Sequence, residues 1–153
     1  MKVFLVRHAQ ASDRDRWRGD DRSRPLTDKG QAQARGLVTA LSDEAVDQVL
    51  SSPYLRCLET VEPIARVRKL SVKTERLLAE GSDWRETLDL ICDSHRPTVM
   101  CSQGDVIGGI IASLVDRGLL VADAARWQKG STWILEVGGG AVRAATYLMP
   151  REA

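Results

Sequence analysis

Arg7 and His8 stand side by side directly after the apolar run Val3-Phe4-Leu5-Val6. An arginine offers forked donors for oxyanions, and a neutral imidazole offers a nitrogen nucleophile. Two further polar stretches follow segments that read as strands. Ser51-Ser52-Pro53 follows the run Val46–Leu50 and leads to Arg56, and Ser102-Gln103-Gly104 follows Thr98–Cys101. Two guanidiniums, an imidazole and a carboxamide at one place would suit a phosphoryl group: donors for its oxygens and a nucleophile for its phosphorus. Taken singly, each has a plainer reading. A lone histidine is more often a satisfied core residue, and a lone arginine is usually solvated. His95, in Ser94-His95-Arg96-Pro97, reads as a loop residue.

The surrounding pattern supplies the elements that would bring these residues together. Lys2 to Val6 reads as a buried strand, and residues 12–25 as a polar surface loop without period. Asp28 with Gln31 suggests a capping box for a helix whose apolar stripe is Ala34, Leu37, Val38 and Leu41. Val46 to Ser51 is a second strand. Ser52-Pro53 suggests the cap and first position of a helix lined by Leu58, Val61 and Ala65. A short strand is expected at Leu70–Thr74, a helix from Asp83, a strand at Thr98–Cys101 and a helix over Gly104–Arg117. Thr132–Val137 and Ala141–Leu148, joined by glycines, read as a closing hairpin. Alternating strands and helices predict an α/β fold: a three-layer α/β/α sandwich with a mostly parallel central sheet. In such sheets, ligands bind beyond the carboxyl ends of the strands, where all three polar stretches fall.

Composition narrows the partners. With 153 residues the chain is expected to form a single domain spanning 1–153. Its 22 basic and 21 acidic residues give a formal charge of +1, so no overall field favours a nucleic-acid polymer or a membrane. Cys57, Cys92 and Cys101 lack metal-site spacing and read as reduced thiols of a cytoplasmic protein. Arginines interleave Asp13, Asp15, Asp20 and Asp21, which argues against a metal site there. No metal and no cofactor is expected.

The segments LVRHA, SRPLTDKG, SSPYLRCLET and CSQGD resemble, in order, the motifs of the histidine phosphatase superfamily, whose fold is the phosphoglycerate mutase-like one. The length resembles the short SixA-type branch. RWRGDD, CSQGDVI and QKGSTW are also similar to the C-terminal phosphatase-like domains of mycobacterial MutT-type Nudix hydrolases. The resemblance implies that His8 is the phosphorylated nucleophile, that Arg7 and Arg56 bind the phosphoryl group, and that Glu80 donates a proton. It also implies a pocket role for Arg24, on the leaving-group side. Lys129 and Ser131, just before the hairpin, are further candidates for substrate binding.

The chain departs from the family pattern at two points. Ala9 replaces a glycine, and Gln103 stands where a second histidine is usual. A carboxamide still donates a hydrogen bond but neither carries charge nor titrates. Three functions therefore stay open. A phosphatase would act on a small phosphomonoester, a nucleotide or a protein phosphohistidine, with a Nudix hydrolase as a candidate partner. A degenerate domain would bind phosphate without turnover, and a phosphoglycerate-type mutase would need lid segments for which the chain is short.

Overall fold

The computed structural model describes residues 1–153. Six strands form one sheet: β1 (Lys2–Arg7), β2 (Gln48–Ser51), β3 (Val72–Thr74), β4 (Thr98–Ser102), β5 (Thr132–Gly138) and β6 (Ala141–Leu148). Their order is β3-β2-β4-β1-β5-β6. β1 runs parallel to β4 and antiparallel to β5, and β5 pairs antiparallel with β6. The four helices are α1 (Asp28–Ala40), α2 (Leu55–Val67), α3 (Trp84–Cys92) and α4 (Gly104–Asp116).

The two-residue alternation of β1 divides the core. Val3 and Leu5 pack with Ile91 of α3, Ile107, Ile110 and Ile111 of α4, and Trp133 and Leu135 of β5. Phe4 and Val6 face the other way, toward Leu37 of α1 and Cys57, Val61 and Ile64 of α2. The sheet thus lies between α1–α2 and α3–α4, the expected three layers. Burial on both faces explains why β1 is a continuous apolar run rather than an alternating one. The hairpin turns at Gly139-Gly140, whose φ values of +61° and +74° suit glycine and the twist of a two-residue turn.

Three local expectations need correction. The cap of α1 is Thr27, whose Oγ1 accepts from Gly30 N–H at 3.1 Å, not Asp28 with Gln31. α2 begins at Leu55, so Pro53 lies before it. Ser52 Oγ instead accepts from Tyr54 N–H at 3.3 Å in the turn that leads into the helix. Residues 12–25 are not simply solvated surface. They contain a 3₁₀ turn at Asp21–Ser23, and Arg24 is only 5% exposed because acceptors in the same segment hold it.

Candidate active site

Adjacent strands β1 and β4 send their following helices to opposite faces of the sheet, α1 to one and α4 to the other. Their carboxyl ends therefore border a crevice, the usual ligand position of an open α/β sheet. A cavity of about 760 Å³ opens there. Its walls include Arg7, His8, Arg14, Arg24, Glu80 and Lys129, with Trp127 as the one aromatic side chain.

The backbone sets His8 firmly. Arg7 is in register with Ser102, and His8 N–H donates to Ser102 O at 3.1 Å. Gly130 N–H lies 3.1 and 3.0 Å from the carbonyls of Arg7 and His8. Ala9 N–H donates to Thr60 Oγ1 at 2.9 Å, and that hydroxyl donates to Arg56 O at 2.6 Å, tying the end of β1 to α2. His8 is only 5% exposed, with its ring Nδ1 2.8 Å from Ala9 O. A carbonyl only accepts, so Nδ1 carries the hydrogen and Nε2 keeps its lone pair. Burial pushes the imidazole pKa down to about 3; Arg56, Arg7 and Lys129 add to the effect, against the Ala9 hydrogen bond. The ring is neutral at physiological pH, the state a nucleophile requires.

The cations are held from behind. Arg7 Nη1 donates to Trp127 O at 2.9 Å. A Cβ at residue 104 would lie 2.9 Å from Arg7 Nη2, so Gly104 is what lets the guanidinium rest against the start of α4. Arg56 is fully buried, with its Cζ 4.8 Å from the centre of the Tyr54 ring. Its Nη1 donates to Asp21 O at 2.9 Å, and its Nη2 lies 3.3 Å from Asp21 Oδ2 and 3.5 Å from Glu80 Oε1. Arg24 Nε donates to Asp21 Oδ1 at 3.1 Å, and Arg14 Nη2 lies 3.3 Å from Glu80 Oε1. Burial and the charges of Arg7, Arg24, Arg14 and Arg56 hold the Lys129 ammonium below the usual lysine value.

Gln103 is 1% exposed at the start of α4, where its side chain does not cap the helix. The buried side-chain polar atoms without a protein partner are Arg7 Nε, Arg56 Nε, and both Nε2 and Oε1 of Gln103. All four belong to residues singled out from the sequence, although Arg56 and Gln103 lie behind the cavity wall rather than in it. Arg7, His8, Arg24, Glu80 and Lys129 do line the cavity. Ser131 does not: it is buried, and its carbonyl accepts from Arg7 N–H at 3.0 Å. No group of three or more His, Cys, Asp or Glu side chains is placed to hold a metal ion.

Sequence reasoning overlooked Asp21 and Trp127. Asp21 carries no signal beyond being one acid among alternating charges. Trp127 acts through its backbone carbonyl, which no residue type announces.

The chain is similar to known proteins in sequence and in fold. A family model described as histidine phosphatase superfamily (branch 1) matches residues 3–87, more than half of the chain. A Mycolicibacterium smegmatis protein named 8-oxo-(d)GTP phosphatase is 35% identical over 154 residues, an alignment taking in 97% of this chain and 48% of that protein. The chain thus spans about half the length of this relative. Among solved structures, SixA of Agrobacterium tumefaciens superposes with a TM-score of 0.78 at 20% identity. That superposition covers 97% of this chain and 98% of the other. A protein histidine phosphatase SixA complexed with tungstate gives a TM-score of 0.75 at 19% identity, covering 99% and 97%. No helix is long and apolar enough to cross a membrane. On its motifs, its fold and these matches, the chain belongs to the histidine phosphatase superfamily.

Proposed function

We propose that the chain is a phosphatase that works through a phosphohistidine on His8. The observation that carries this reading is the state of His8: a buried, neutral imidazole with Nδ1 occupied by Ala9 O and Nε2 left free, among Arg7, Arg56 and Lys129. In the first step Nε2 attacks phosphorus, the N–P bond forms and the bond to the leaving oxygen breaks. Glu80, in the cavity wall, gives that oxygen a proton. Water then attacks the phosphohistidine and returns a proton to Glu80, and inorganic phosphate leaves. Arg7 meets the transferring oxygens from the cavity wall, and Arg56 and Gln103 stabilise them from just behind it, through buried donors that have no protein partner. Such positioning and charge stabilisation carry most of phosphoryl-transfer catalysis.

The substrate class is a small phosphomonoester or nucleotide. A cavity of about 760 Å³ holds far more than a phosphate, and Arg24 and Lys129, in its wall, would meet the remainder. The name of the mycobacterial relative favours a nucleotide. The test is phosphate release from p-nitrophenyl phosphate and a nucleotide panel, with His8→Ala as control. Turnover, an acid-labile phosphoenzyme and loss of both in His8→Ala are expected. Turnover that survives His8→Ala would overturn the mechanism.

A further inference from the structure

Asp21 lies at the centre of the arginine cluster, yet nothing in the chemistry above uses it. It offers three acceptors to two buried cations. Its Oδ1 takes the Nε–H of Arg24 at 3.1 Å, its Oδ2 faces Arg56 Nη2 at 3.3 Å, and its carbonyl takes Arg56 Nη1 at 2.9 Å. Arg14 Nε also lies 3.6 Å from Oδ1. Partial burial alone would raise the Asp21 carboxyl, but the Arg24 hydrogen bond and the charges of Arg56, Arg24 and Arg14 outweigh it and hold the group below the usual carboxylate range. Arg24 comes from the segment before α1 and Arg56 from the first turn of α2. Without a shared acceptor, the two guanidiniums would repel each other and take independent rotamers.

The pattern of occupied and free donors gives the contact a direction. Asp21 and Ser12 O take Arg24 Nε and Nη1, while Arg24 itself lines the cavity. Asp21 takes one hydrogen from each terminal nitrogen of Arg56, whose Nε has no protein partner. Arg56 Nη2 also faces Glu80 Oε1 at 3.5 Å, so both terminal nitrogens of Arg56 are anchored and Nε is the donor left for a ligand. Preorganised donors of this kind matter because a misplacement of about 1 Å can cost about 10²-fold in rate.

We propose that Asp21 is a positioning residue that clamps Arg24 and Arg56 into one rigid pair aimed at the phosphorylated substrate. This inference rests on the phosphatase reading. The test compares Asp21→Asn and Asp21→Ser with Asp20→Asn, which removes a neighbouring carboxylate that accepts only from Arg22 N–H. Turnover, binding of inorganic phosphate by calorimetry, and urea unfolding are measured for each. Asp21→Asn is expected to lower kcat/KM by about 10- to 100-fold and to weaken phosphate binding, with its unfolding midpoint close to that of the parent. Asp20→Asn is expected to match the parent.

Unchanged kinetics and phosphate affinity in both folded Asp21 variants would overturn the proposal. So would tighter phosphate binding, which would make Asp21 a competing anion. So would a loss of activity explained wholly by a smaller folded fraction. If the parent forms no phosphohistidine and releases no phosphate, the phosphatase reading fails on its own. Weaker phosphate binding by Asp21→Asn would still support the clamp.

Discussion

Gln103 is the residue on which catalysis is most sharply tested. Its buried carboxamide has no protein partner at either end, and a donor aimed at a developing oxyanion is worth about 10²–10³ in rate. Gln103→Ala is expected to lower turnover by about 10- to 10³-fold, while Gln103→His is expected to stay within about tenfold of the parent. Steady-state kinetics with p-nitrophenyl phosphate decides, and indifference to Gln103→Ala would remove this residue from the mechanism. His8 makes a separate prediction in acid. Its native pKa of about 3 lies below the ordinary value of 6.5, so between these values the unfolded chain binds the extra proton. Stability therefore falls as pH drops from about 6.5 toward 3, by up to ~1.4 kcal/mol per pH unit from this group. Urea unfolding at pH 7 and pH 5 should show a shallower decline in His8→Gln. Arg7, His8 and Gln103 were legible because each lies where an apolar strand ends, and Arg56 because it lies in the first turn of the helix after another strand. Asp21 was not, because its contact with Arg56 in α2 leaves no mark on the sequence around it.

The start of α4 acts as a backstop for Arg7. In Gly104→Ala the new Cβ would meet Arg7 Nη2 at 2.9 Å and Cζ at 3.0 Å. The guanidinium is the mobile end of a long side chain and will move before the backbone does. The expected result is a loss of about 10- to 100-fold in kcat/KM with a thermal midpoint near that of the parent. A midpoint that falls while kinetics hold would show that the helix had shifted instead. Sequence patterning located the four α-helices and six strands but not the 3₁₀ turns, and α4 shows the pattern most plainly, with Val106, Ile107, Ile110, Ile111 and Leu114 all buried. Cap positions were less legible. Thr27 and Asp28 are both good caps by type, and only the hydrogen bond to Gly30 N–H separates them. At α2, Ser52-Pro53 looks like a cap, but Ser52 N–H is bonded to Cys101 O at 3.0 Å, so the helix starts later.

Across the molecule, charge is nearly balanced at +1, yet the cavity walls carry Arg7, Arg14, Arg24 and Lys129 against Asp13, Glu80 and Asp105, with Arg56 behind them. Attraction for an anionic substrate is therefore short-ranged and partly screened. Raising sodium chloride from about 0.05 to 0.5 M is expected to raise KM several-fold while kcat stays within about twofold, since exposed charges are screened more than buried ones. A salt-independent KM would mean that the exposed cations do not meet the substrate. The alternation of elements foretold a layered α/β sheet. It did not foretell the strand order, because nothing local states that β4 inserts between β1 and β2.

That insertion has a consequence during synthesis. β1 is made before both strands that flank it, since β4 begins at Thr98 and β5 at Thr132. At ribosomal rates, the wait for both is on the order of ten seconds. Until then Val3-Phe4-Leu5-Val6 is an unpaired apolar strand, and His8 lacks the carbonyl of Ser102 that will fix its backbone. The segment that carries the proposed nucleophile is thus also one in need of shielding by a chaperone on the nascent chain, and slowing translation between codons 8 and 98 should increase aggregation before it affects any property of the folded chain.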